Sequence, residues 1–134
     1  MLDGQTIVVD DYLEVRPNAR PRIEKLVREG RLAVGPWHVL PDEWLVSGEA
    51  LIRNLRLGLS KAEALGGAMR VGYVPDQFGH VGQLPQIFAG FGLPAAVHMV
   101  EDLPLWRKFF DLLGIRTVSS ERYSDGLKAG KSIS

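Results

Sequence analysis

The chain has 134 residues, enough for one ordinary domain, and 46% of them are apolar, which suits a packed core rather than disorder. Its formal net charge is zero and no lysine–arginine run is dense enough to form a phosphate-binding face, so nucleic acid is not an expected partner. There is no cysteine, which removes disulfides, thiolate chemistry and Cys-based zinc sites. No apolar stretch approaches the roughly 20 residues that span a bilayer, so no membrane partner is expected. Residues 1–10 lack the basic-then-apolar layout of a secretory leader, and the expected location is cytoplasmic.

In chain order, Asp3-Gly4 marks a turn, and Val8/Tyr12 with Val9/Leu13 fall four apart, predicting a short helix that ends before Pro17. Ile23, Leu26 and Val27 predict a second helix, with Gly30 as its stop. Residues 32–34 read as a strand running into Gly35-Pro36-Trp37. After a turn at Pro41-Asp42-Glu43 comes the clearest helix. Ser47 can cap it, Glu49 suits its first turn, and Leu51, Ile52, Leu55 and Leu59 line one face until Gly66-Gly67. Asp42, Glu43 and Glu49 read as cap and helix-dipole acids.

Residues 69–74 then predict a strand ending at Pro75, residues 83–91 a helix, and residues 95–100 another strand. A helix from Pro104 would bury Leu105, Phe109 and Leu112, stop at Gly114 and lead into a further strand. Helices alternating with short apolar strands predict a parallel α/β arrangement. Ligands in such sheets gather at the carboxyl ends of the strands, and Asp76 lies at one such end.

Asp76 can be a nucleophile, a base or a metal ligand, or it can simply cap the turn that follows. Phe78, two residues on, can offer an apolar face to a sugar ring. His80 can hold a carboxylate or satisfy a buried carbonyl. Trp37 can line a carbohydrate pocket or anchor a loop, and His38 can be polar lining. The string Gly90-Phe91-Gly92-Leu93-Pro94-Ala95 superficially matches a dinucleotide fingerprint. It follows a helix rather than a strand, which argues against that role.

Leu2-Asp3-Gly4-Gln5, Asp11-Tyr12-Leu13, Glu29-Gly30-Arg31-Leu32, Gly35-Pro36-Trp37, Pro41-Asp42-Glu43, Ser47-Gly48-Glu49, Ile52-Arg53-Asn54-Leu55 and the stretch 72–86 occur in one order. That series resembles the catalytic domain of glycoside hydrolase family 38, the alpha-mannosidases, in its bacterial form, over residues 1–97. The resemblance implies part of a parallel α/β barrel-like catalytic domain of the glycoside hydrolase/deacetylase type, truncated. It implies a retaining, zinc-dependent hydrolase acting on an alpha-mannoside or mannose-containing oligosaccharide. Asp76 takes the place of the family's nucleophile and zinc (Zn) ligand in its Asp-x-Phe-Gly-His motif, and Phe78 that of the aromatic packed against the sugar; His80 takes a supporting role.

The family's His-x-Asp zinc ligands, a further histidine ligand and the acid/base carboxylate have no counterpart in this sequence. The chain is therefore expected to hold only part of an active site and to retain zinc weakly on its own. Residues 98–134 depart from the family. They resemble, over a shorter stretch, proteins related to activators of 2-hydroxyacyl-CoA dehydratases, whose iron–sulfur chemistry relies on cysteines that this chain lacks. A non-catalytic structural or interaction module is the alternative from a different functional class.

Overall fold

A computed structural model describes residues 2–75, 77, 79–98, 108 and 110–119. The chain divides into two compact units, Met1–Met69 and Arg70–Ser134.

The first unit is built from helices. α1 spans Ile7–Val15; of the two four-apart pairs it buries Val9 and Leu13, while Val8 and Tyr12 face solvent. A 3-10 turn at Pro17–Ala19 leads into α2, Arg20–Arg28. Gly30 ends this helix at φ +68°, and its amide donates to the Val27 carbonyl at 2.9 Å. Glycine adopts that backbone conformation without a Cβ penalty, so the expected stop is where the chain turns.

α3, Gly48–Ala64, begins as its sequence predicts: the Ser47 hydroxyl accepts from the Ala50 amide at 3.1 Å. Its buried stripe is Leu51, Leu55, Gly58, Leu59 and Ala62. Val9, Leu13, Val27, Val34, Ala62 and Leu65 form one apolar core, drawing on all three helices and the segment before Gly35.

That segment is not the strand its sequence suggests. Residues 32–34 belong to no strand, and the isolated parallel bridge nearby joins Gln5 to Trp37. Gly35 takes φ +81° and Pro36 carries no N–H, so regular pairing cannot run through this point. The Gly35–Pro36 peptide bond is cis. Glu43 stands in the first turn of a 3-10 element, Glu43–Leu45, but is fully buried, while Trp44 and Leu45 are exposed.

The second unit holds a three-stranded sheet in the order β1-β2-β3, parallel throughout. β1 is Gly72–Val74, shorter than the sequence suggested. β2 is Ala95–His98 and β3 is Arg116–Ser119. Gly72 faces Ala96 and Val74 faces His98, while Ala95 faces Arg116 and His98 faces Ser119. α4, Leu84–Gly90, provides the crossover between β1 and β2 that parallel strands require. It buries Leu84, Pro85 and Phe88. A Cβ on Gly72 would overlap the Phe88 ring, so strand and helix lie as close as glycine permits.

Gly92 closes α4 at φ +65°, with the Leu93 amide bonded to the Phe88 carbonyl at 3.0 Å. The dinucleotide-like string is thus a helix stop, as its position implied. Before β3, residues 110–112 are helical and Gly114 turns at φ +69°. The buried residue there is Phe110, at 2% exposure and stacked on Phe88 at 6.3 Å. Leu112, expected inside, is 80% exposed. Leu105 and Phe109 lie outside the described residues, as do residues 99 and 100 of the expected second strand. No helix among the described residues is long and apolar enough to cross a membrane.

Candidate functional site

In the second unit the candidate motif follows β1 directly, at the carboxyl end of a parallel strand. Pro75 is buried after Val74. Asp76 and Phe78 lie outside the described residues. Gly79 takes φ +74°, so the glycine between Phe78 and His80 meets a backbone requirement that a side chain would oppose. His80 is half-buried. Gln77, which sequence reasoning passed over, is 8% exposed, and neither its Oε1 nor its Nε2 has a hydrogen-bond partner among the described residues. Its side-chain amide offers one acceptor and two donors. Its only signal in the sequence was its place inside the motif.

In the first unit, Trp37, for which the sequence left a sugar-pocket and a loop-anchor role open, is 0% exposed, so in this chain it anchors a loop rather than lining a pocket. The loop around it is held by hydrogen bonds to α1, α3 and the chain before α1. The Trp37 amide donates to the Gly4 carbonyl at 3.0 Å. The His38 and Val39 amides both donate to Asn54 Oδ1, at 2.9 and 3.0 Å, and the Leu40 amide donates to Gln5 Oε1 at 3.1 Å. In return, the Trp37 and His38 carbonyls accept from the Thr6 and Ile7 amides, each at 3.0 Å, and the Val39 carbonyl accepts from Asn54 Nδ2 at 2.6 Å. The loop carbonyls thereby satisfy donors that the start of α1 would otherwise leave open.

His38 is fixed within the same network. Its Nδ1 lies 3.0 Å from Thr6 Oγ1 and 3.9 Å from Asp10 Oδ2, and Asp10 also pairs with Lys61. Asn54 is the hub of the loop, although it lies 15 and 16 residues away along the chain. Asn54→Ala should lower stability by about 1–3 kcal/mol, because two loop amides would lose their acceptor. Urea unfolding monitored by circular dichroism checks this; an unchanged midpoint would show that water substitutes fully for the clamp.

The ligand chemistry that these residues supply is limited. Among the described residues no group of three or more His, Asp, Glu or Cys side chains is placed to hold a metal ion. A complete zinc site of the usual three or four ligands is therefore not contained in them.

An α/β unit with parallel strands, carrying an acid-bearing motif after a strand's carboxyl end, has the layout in which such proteins bind ligands. The chain belongs to glycosyl hydrolase family 38: the description "Glycosyl hydrolases family 38 N-terminal domain" matches residues 5–99. A protein of Halalkalibacterium halodurans named "Putative mannosylglycerate hydrolase" is 45% identical over 97 residues, which are 72% of this chain and 11% of that protein. The crystal structure of an alpha-mannosidase from Enterococcus faecalis V583 is 43% identical with a TM-score of 0.69, covering 72% of this chain and 11% of that one. A second Enterococcus faecalis structure, of a protein in glycosyl hydrolase family 38, is 25% identical with a TM-score of 0.66. It covers 96% of this chain and 22% of that one. The chain therefore spans only a small part of the length of the relatives it matches.

Proposed function

We propose that the chain is a segment of a retaining alpha-mannoside hydrolase in which Asp76 is the nucleophile. The observation that carries this reading is the family match over residues 5–99, at 43–45% identity to an alpha-mannosidase and to a protein named for mannosylglycerate hydrolysis. That match includes the whole of Pro75–His80. In this reading the three parallel strands are an arc of a barrel-like catalytic domain.

The chemistry follows from a carboxylate at that position. Asp76 attacks the anomeric carbon and forms a glycosyl ester as the bond to the aglycone oxygen breaks. The departing oxygen takes a proton from a second carboxylic acid, which then draws a proton from the water that hydrolyses the ester. Phe78 offers its ring to the apolar face of the sugar, and His80 supports the motif from its half-buried position. Gln77 can donate to or accept from a sugar hydroxyl. Zinc is the metal proposed for the assembled enzyme, where it would grip sugar hydroxyls, with Asp76 as one ligand and the others supplied from outside this sequence.

The test is a chimera. Residues 5–99 of this chain replace the aligned segment of the Enterococcus faecalis alpha-mannosidase, and turnover of an aryl alpha-mannoside is measured. The expected result is activity within about tenfold of the parent, roughly 1.4 kcal/mol of barrier. A chimera that folds but shows no turnover rejects the reading.

A further inference from the structure

We propose that the open groove between the end of α1 and the start of α2 binds a sugar-sized ligand bearing a carboxylate or phosphate. The groove encloses about 460 Å³, and its walls include Tyr12, Val15, Arg16, Asn18 and Arg22. Known small-ligand sites begin at roughly 300 Å³, so a monosaccharide derivative fits.

Charge is what sets the groove apart. Cations elsewhere on this unit are mostly neutralised locally: Arg20 and Arg28 by Glu24, Lys25 and Arg31 by Glu29, Arg53 by Glu49 and Lys61 by Asp10. Arg16 and Arg22, both exposed in the groove, have no ion pair among the described residues. α2 also starts beside them with no acid in its first turn. Two guanidinium groups lining one concavity suit an oxyanion, whose oxygens accept forked pairs of N–H bonds.

The remaining walls add the sugar preference. Tyr12 is 52% exposed and Val15 is more so, together an apolar wall against which a pyranose ring can lie. Asn18 supplies an amide able to pair with hydroxyls. None of this depends on Asp76, so the site stands or falls separately from the hydrolase reading.

Amide NMR spectra of the full chain should be followed at low salt during separate titrations with inorganic phosphate, D-glycerate and mannose 6-phosphate. Saturable shifts of amides in residues 12–22 are expected, with the tightest Kd on the order of 1 mM. R16Q/R22Q should weaken that binding about tenfold or more, while R56Q, on exposed α3 surface outside the groove, should not. The arginines are exposed, so the variants should retain the wild-type circular dichroism spectrum. A preference for D-glycerate over inorganic phosphate identifies a carboxylate ligand, and the reverse a phosphate. Tighter binding of mannose 6-phosphate than of free phosphate supports the sugar-sized part of the proposal, and equal binding overturns it. Shifts that stay linear into tens of millimolar for all three probes, or equal weakening by R56Q, overturn the site itself.

Discussion

Gly58→Ala is expected to destabilise the chain by about 3 kcal/mol, although alanine is ordinarily the better helix residue by roughly 1 kcal/mol. Gly58 is buried on the inner face of α3. A Cβ there would overlap the Pro36 carbonyl oxygen, the Trp37 carbonyl carbon and the His38 amide nitrogen. All three are backbone atoms, so no rotamer change relieves the overlap. The helix and the loop would have to separate, breaking the Asn54 bonds and uncovering Trp37. Against a total stability of about 5–15 kcal/mol, that is a large fraction. Urea and thermal unfolding should both show a lower midpoint, and Trp37 fluorescence should shift towards that of a solvated indole. A raised midpoint would mean that helix propensity outweighs contact, and that the approach of loop to helix is looser than described.

The second large effect belongs to the proposed nucleophile. In the active chimera, Asp76→Ala should lower kcat by a factor on the order of a thousand or more, because no glycosyl ester can form without the carboxylate. Loss of rate alone does not prove the role, since a positioning residue can also be costly to remove. Azide supplies the distinguishing readout. Entering the space left by the carboxylate, it should attack the anomeric carbon of an activated alpha-mannoside and release a beta-mannosyl azide, restoring turnover. A variant that keeps more than about a tenth of the parent rate places the nucleophile elsewhere, the lost barrier being then under 1.4 kcal/mol.

The local rules in the sequence reached some elements and missed others for identifiable reasons. α3 could be read because each signal was local: Ser47 at its start, a leucine stripe along it and a glycine pair after it. The stops at Gly30 and Gly114 were equally local, each with positive φ. The segment at 32–34 was mistaken for a strand because pairing is a property of two segments, and the composition of one says nothing about its partner. The inward residue before Gly114 was misassigned by helix phase. Phe110 finds Phe88, a contact separated by 22 positions, and Leu112 is turned out.

The candidate site divides along similar lines. The position of Asp76 at a strand's carboxyl end could be read from hydrophobic pattern and connectivity. The role of Asn54 could not, because an asparagine within a helix has no fixed local meaning until the loop it clamps is in place. Trp37 stayed open for a related reason: a tryptophan beside Gly-Pro can serve sugar binding or loop anchoring, and burial separates the two.

The bonds from Thr6 and Ile7 to the carbonyls of Trp37 and His38 bear on how this unit assembles. A nine-residue helix such as α1 is marginal alone, and here its opening turn leans on chain made some thirty residues later. That later chain is in turn held by Asn54, further along still. The two ends of this unit must consequently meet before either is secure, and order should arrive in one cooperative step set by loop closure rather than by growth from the amino terminus.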